Sequence, residues 1–578
     1  MGPRGPAAPA GARALRAALT VALLVVAAAG AAAARPFEAA PAPRLPQLSE
    51  LLGGAPPGAA AASRAEAAGP AQPEGGAEPL WCDVSGDPEA GPSDTSGCTY
   101  LVGDPAAARQ LLFGEGTEAR GPFSAAAAAD PAAAGPLPRI RTVARAPPPP
   151  PPQPRAAAAA PLPPPPPQPL FHEAAVWLPG LPGPHSVLFS SNRLGNLSTP
   201  NQSVALTLVD PSGAAPPRPL PGAAAAVLPM ANGGRRLPGG GGAVALLCFQ
   251  GVGARGGGLA AVDAATGAAR LVLTRAGAAG APLGSPNDVV MVPLPREHQP
   301  PRRRAAPGAA GGAPEPGGGG GEGDGGQYAV ALFTDPPYGF DQGFRSGAPE
   351  RGGYLWAVTL RLPPPPPPPG APAPAGGRRW WPVAVGPARA VADGFVRPNG
   401  VAVSPDRKTI YVSDSGYYSG DDSPAPPQHD PTQPGGGAPP LRAWPGRPRG
   451  VYAFDLSFVG AAPAAAVLSG RRTFAVADAP APDGLAVDAD GRVWSGEGDG
   501  VSVYEPGTGR LLLRVRPGGG GGARSAGVAN FALVPLLGDG GGGGEEGGGL
   551  LVMGQEAAAT AVRLPGLRVF DVESWLER

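Results

Sequence analysis

One stretch, RPNGVAVSPDRKTIYVSDSG from Arg397 to Gly416, limits the folds open to this chain. Val401 and Val403 alternate with small or polar neighbours, the pattern breaks at Ser404-Pro405-Asp406, and alternation resumes at Ile410 and Val412. Period-two alternation on both sides of a polar turn predicts two short strands joined as a hairpin. Asn399 heads the first strand, between Pro398 and Gly400. The design recurs in SPNDVVMV, with Asn287, and in APDGLAVDADGRVW, with Asp483. A repeated unit that carries a side-chain oxygen at the same place predicts that Asn287, Asn399 and Asp483 converge on one centre.

The rest of the ordered sequence has the same character. From Leu170 onward, segments such as FHEAAVW, SVLFSS, VALTLV, AVALLCFQ, GYLWAVTL and GLLVMGQE are short, alternating or apolar, and separated by Gly- and Pro-bearing turns. No long amphipathic helical pattern interrupts them, which is the signature of an all-β fold. The repeats are spaced more widely than one propeller blade, but low-complexity inserts fill the gaps, at 298–327, 363–377 and 421–447. With those removed, the spacing approaches the ~40–50 residues of a four-stranded blade. Six blades fit between residue 169 and the carboxyl terminus at 578. The expected fold is a six-bladed β-propeller whose inserts lie in surface loops, where extra length costs little. A β-sandwich or jelly roll is the competing all-β fold, and it leaves the repeated strand-leading unit without a reason.

The 93 glycines and 85 prolines among 578 residues exceed ordinary globular usage. Much of that excess falls in residues 36–168, a Pro/Ala/Gly-rich leader that ends in the runs APPPPPPQP and PLPPPPPQP, stiff and extended by composition. Residues 1–35 read as a signal peptide: Arg4, Arg13 and Arg16 precede an uncharged run from Ala17 to Ala34 with small residues at its end. The product is expected in a secreted or endomembrane-lumenal location, with an uncleaved signal anchor as the alternative. Cys82 and Cys98 sit in one loop-like stretch within 80–112 and could close a disulfide, worth about 3 kcal/mol in the chain-entropy model. Cys248 lies in an apolar strand and reads as a buried thiol. Asn196 and Asn201 each begin a glycosylation sequon. The 45 basic and 45 acidic residues balance, and no basic stripe is interleaved with aromatics. Neither a nucleic-acid partner nor a membrane partner beyond the signal segment is expected, and the chain is expected to be a monomer or weak oligomer.

The motifs FHEAAVW, SNRLG, PNDVV, FTDPPYG, RPNGVAVSPDRKTIYVSDSG, PDGLAVDADGRVWSGEGDGV and ANFAL, in that order, resemble the gluconolactonase/regucalcin family, closest to its secreted fungal and bacterial lactonase branch. The resemblance covers about residues 170–575. It implies a six-bladed propeller with one divalent metal near its axis, most often Ca2+ with Zn2+, Mg2+ or Mn2+ as alternatives, that hydrolyses sugar-type lactones. Carried over residue by residue, it makes Glu173, Asn399 and Asp483 metal ligands, places Asn287 against the substrate, and gives Asp483 the proton-moving role. Two departures stand out. Ala174-Ala175 follow the glutamate where Gly-Pro is usual in the family, and Ser285 stands where some animal members carry an arginine.

The chemistry agrees with these residue types. Glu, Asn and Asp offer hard oxygens suited to calcium or magnesium, and two carboxylates nearly neutralise a dication. Asp335 and Tyr338 in FTDPPYG are further candidates for substrate contact; the same residues also read as a rigid Pro-Pro turn with a packed aromatic. Asn or Asp before Gly also makes an ordinary turn, so each strand head carries that reading beside the functional one. There is no HExxH, no GxSxG and no glycine run ending in GK[ST], which argues against zincin, serine-hydrolase and phosphate-loop chemistry. Three rivals remain: a related propeller esterase of paraoxonase type, a strictosidine-synthase-like enzyme, and a propeller that binds metal without turnover.

Overall fold

Strands that follow one another in the chain also pair with one another, because the links between them reverse direction and return the next strand beside the last. The computed structural model describes residues 98–114, 137–147, 167–195, 202–300, 327–363, 381–417, 446–517, 527–536 and 548–575, apart from 223, 348, 350, 351, 480, 573 and 574, and the backbone of 81–83. All of these fall in one unit, Gly76–Arg578.

Among the described residues, six sheets whose blade strands pair antiparallel form a six-bladed propeller. The first strands of the blades, which face one another around the axis, are Glu173–Trp177, Ala231–Arg236, Val289–Pro293, Pro398–Val403, Leu485–Val487 and Phe531–Pro535. Blades one to five each continue outward in chain order to a fourth strand: Arg218–Pro219, Ala268–Leu273, Val383–Ala392, Ala465–Val476 and Leu511–Val515. The expected inserts each fall between consecutive strands of one blade, and the bulk of every insert lies outside the described residues.

There is no single core. Six apolar clusters each fill one gap between neighbouring blades, and strand alternation assigns the residues to them. Along Val244–Phe249 of blade two, Ala245, Leu247 and Phe249 pack towards blade one with Leu188 and Leu208. Leu246 and Cys248 pack towards blade three with Met291 and Phe333. Both faces of such a strand are buried, so it reads as a continuous apolar run. The remaining wedges repeat the scheme, for example Val292 and Leu332 against Val401 and Ile410, or Trp494 and Leu513 against Leu551 and Val562.

Closure of the ring departs from the sequence reading. The sixth blade has three consecutive strands, ending with Ala558–Leu564, and its outer strand is Arg141–Arg145 from the leader. Val143 and Ala144 are buried with Phe171, Phe189 and Val552 in the wedge between blades six and one. A five-residue edge strand just ahead of a proline run leaves little local signal; its partner, more than four hundred residues away, supplies the order. Tyr100–Val102 likewise extends blade five. The helix Pro105–Phe113, capped by the Asp104 carboxylate on the N–H groups of Ala106 and Ala107, packs Leu111 and Leu112 into the wedge between blades five and six. Cys98 is disulfide-bonded and Cys248 is a free buried thiol. The signal segment, the side chain of Cys82 and the sequon asparagines Asn196 and Asn201 lie outside the described residues. Among the described residues no helix is long and apolar enough to cross a membrane.

The clasp strand gives a direct prediction. Val143→Asp buries an unpaired carboxylate in the wedge that joins the first and last blades, and should lower stability by about 3 kcal/mol in urea denaturation. A loss under about 0.5 kcal/mol, the range of an ordinary surface substitution, would mean that the ring closes without it.

Candidate functional site

A polar residue stands within two positions of the start of each inner strand: Glu173, Asn232, Asn287, Asn399, Asp483 and Asn530 in blades one to six. The local chain turns these side chains out of the sheets. The ladder shifts register between Glu173 and Val176, between Ala231 and Gly234, and between Pro398 and Val401, as at a β-bulge that re-aims a side chain. Behind Glu173, Ala174 and Ala175 hold left-handed backbone with φ of 65° and 48°. That conformation costs of order 1 kcal/mol or more per residue outside glycine and marks a position the surroundings enforce.

The heads are linked in a ring. Ser190 Oγ of blade one donates to the Asn232 carbonyl at 3.3 Å, and Gly233 N to the Asn287 carbonyl at 2.8 Å. Thr334 Oγ1 of blade three donates to the Asn399 carbonyl at 2.6 Å, and Gly400 N to the Asp483 carbonyl at 3.1 Å. Gly484 N reaches Ala529 O at 2.8 Å, and Asn530 Nδ2 returns to Glu173 Oε2 at 3.3 Å. This explains the Asn-Gly and Asp-Gly pairs, which the sequence also allowed as simple turns. A Cβ on Gly233 would lie 2.7 Å from the Asn287 carbonyl oxygen, and one on Gly400 would collide with the Asp483 carbonyl. Glycine is there to let the next blade approach.

The ring uses backbone groups and leaves side-chain oxygens over. Asn399 Nδ2 donates to Tyr338 Oη at 3.2 Å and to Ser415 Oγ at 3.0 Å. Those bonds fix the amide, and Asn399 Oδ1 is buried with no hydrogen-bond partner. Asn287 Oδ1 and Asp483 Oδ1 are in the same condition. Leaving a buried acceptor unsatisfied costs roughly 1–3 kcal/mol, so three at neighbouring strand heads make an acceptor-rich, desolvated centre. Burial, with the neighbouring carboxylate of Glu173 second, raises the Asp483 pKa well above the usual carboxylate range. Burial likewise pushes Glu173 up to about 7, against the opposing pull of His172 and Asn530. The donor set Glu173, Asn287, Asn399 and Asp483 could hold a hard divalent cation.

Around this centre stand groups with supporting geometry. His172 Nδ1 lies 2.7 Å from Glu556 Oε1, and its Nε2 lies 3.8 Å from Glu173 Oε1. Burial alone would lower the imidazole pKa, but the carboxylates of Glu556, Glu173 and Asp483 outweigh it and lift it to about 10. Tyr338 opens the short helix Tyr338–Asp341, and Arg397 grips Asp341 Oδ2 through Nε at 3.0 Å and another guanidinium nitrogen at 2.9 Å. Asp335 is held by backbone N–H groups. It is fully buried, and its two oxygens accept from Gly284 N at 3.1 Å and Ser285 N at 2.6 Å, bracing the loop that leads to Asn287. Asn232 and Asn530 escaped the sequence reading, although MANGGRR and VANFAL carry the same head before a strand; neither has the proline that marked the other units.

A curated lactonohydrolase from Aspergillus oryzae is 37% identical over 131 residues, covering 23% of this chain and 25% of that protein's length. The chain is similar to the gluconolactonase/regucalcin-like proteins. Among solved structures, a gluconolactonase from Xanthomonas campestris aligns with 20% identity over 69% of this chain and 88% of its own, at a TM-score of 0.38. A calcium-binding regucalcin from Agrobacterium tumefaciens aligns with 13% identity over 70% of this chain and 99% of its own, at a TM-score of 0.32. No protein-family model matches the chain.

The ring makes a prediction about Gly400. Gly400→Ala forces a methyl group into the Asp483 backbone, which cannot retreat as a flexible side-chain end could. Stability measured by urea unfolding should fall by about 2 kcal/mol or more. An unchanged midpoint would show that blades four and five do not meet this closely.

Proposed function

We propose that this chain is a lactonase, opening sugar-type lactones at a divalent-cation site on the propeller axis. The observation that carries the reading is the set of three partnerless buried oxygens, on Asn287, Asn399 and Asp483, beside the carboxylate of Glu173. Glu173, Asn399 and Asp483 would hold the cation, and the all-oxygen donor set favours calcium. When bound, such a cation polarises an ester carbonyl and makes an adjacent water more acidic.

The protein's own residues supply the rest. Tyr338 and Ser415 clamp the Asn399 amide so that its oxygen, not its nitrogen, faces the centre. Asn287 is the group that meets the substrate. Asp483 accepts the proton as the water oxygen bonds to the lactone carbonyl carbon; the ring C–O bond then breaks, and the alkoxide takes up a proton to give the hydroxy acid. The helix Tyr338–Asp341, anchored by Arg397, shields the centre from bulk solvent. A secreted or lumenal location fits the signal-like amino terminus and the disulfide-bonded Cys98.

A panel of aldonolactones and simple γ- and δ-lactones, assayed with calcium and after EDTA, tests the proposal. Hydrolysis should be lost on chelation and restored by calcium. Asp483→Asn should lower kcat/KM by at least about 100-fold, the usual yield of a positioned proton acceptor. Full activity in EDTA, or stoichiometric calcium binding with no lactone opened, would overturn it.

A further inference from the structure

Asp288 follows Asn287 in sequence but serves the layer beneath the ring heads. Its carboxylate is almost completely buried. Oδ1 accepts from Val289 N at 2.8 Å, and Oδ2 accepts from Val401 N of blade four at 3.1 Å. Oδ2 also stands 3.4 Å from a terminal guanidinium nitrogen of Arg235, from blade two. Arg235 donates to its neighbour's carbonyl, Gly234 O, at 3.0 Å and to the Leu485 carbonyl of blade five. Blades two and five are opposite in a ring of six, so this side chain crosses the axial channel from wall to wall. One ion pair therefore ties four inner strands together, each within a few residues of its head.

Beyond this crossbar lies a cavity of about 160 Å³, lined by Arg235, Trp177, Met291, Val403 and Leu533 and bounded by Phe570 of the carboxyl-terminal segment. None of the six strand heads contributes to its wall. The crossbar thus stands between the ring and the rest of the channel.

We propose that Arg235 and Asp288 form the electrostatic floor of the cation site, setting how tightly the strand heads hold a divalent cation, with the two partners acting in opposite directions. The inference rests on the cation-binding reading above. Asp288 directly follows the strand head Asn287, and its Oδ2 accepts from Val401 N, two residues past the head Asn399. A carboxylate at that position attracts a cation at the ring, and the guanidinium that pairs with it repels one. Together they nearly cancel, leaving the two ring carboxylates to match the dication. The pair positions the heads as well, since Asp288 holds blade four and Arg235 holds blade five, so a purely mechanical role would make both residues favour binding.

Calcium affinity of the full chain by isothermal titration, beside melting temperature in EDTA, separates these roles. Arg235→Met and Asp288→Asn should each lower the melting temperature of the cation-free protein. Arg235→Met should bind calcium about fivefold tighter or better, Asp288→Asn about fivefold weaker or worse, and the double variant should return towards wild type. Weakening by both single variants would leave a brace only and overturn the proposal. A wild-type chain that binds no divalent cation would overturn the cation-binding reading itself, and this proposal with it. If Asp288→Asn does not fold, the direction of the Arg235→Met shift decides alone, because a mechanical role cannot make binding tighter.

Discussion

The hydrogen bonds that pass from one strand head to the next are the constraint on which this molecule turns. Each is worth only about 1 kcal/mol net, yet the groups they join are buried, and no blade can satisfy its own. The Asn287, Asn399 and Asp483 carbonyls are each met by a donor from the preceding blade. A ring of this kind is complete only when the sixth head returns to the first, as Asn530 does to Glu173. The apolar wedges between blades and the clasp strand Arg141–Arg145 hold the blades at the radius this closure needs.

What the ring leaves over defines the site. Asn232 Oδ1 accepts from Gly233 N, and Asn530 spends its amide on Phe531 N and Glu173. Asn287, Asn399 and Asp483 contribute backbone carbonyls to the ring and keep a side-chain oxygen apiece. The same position is thus put to two uses, bonding within the ring at Asn232 and Asn530 and keeping a spare oxygen at the three heads between them. The desolvation that leaves these oxygens costly is also what raises the carboxyl pKa values of Glu173 and Asp483. A site of this design is a store of unfavourable electrostatics that a cation would relieve.

The strand heads with a proline before them were legible in the sequence, because Pro-Asn and Pro-Asp ahead of an alternating run are a local pattern. Asn232 and Asn530 were not singled out, because a lone asparagine before a strand is too common to mark anything. Asp335 stayed open between two readings for a different reason. Its residue type and its Pro-Pro neighbour fit a pocket, but whether a carboxylate faces a ligand or two backbone N–H groups depends on where the loop at Gly284 and Ser285 folds back. The role of Gly400 was ambiguous for the same cause, since the carbonyl it must admit belongs to another blade.

By itself the sequence determined the local structure: strands of period two, turns at Gly and Pro, inserts placed between strands, and an oxygen-bearing residue at the strand heads that follow a proline. Those follow from interactions within a few residues of one another. Tertiary structure alone decided that a strand from the leader closes the sixth blade, that Arg235 pairs with Asp288 and reaches across the channel to Leu485, and which head oxygens are left without partners. Each of these depends on groups that lie far apart along the chain and become neighbours only when the ring closes, so no local pattern could encode it.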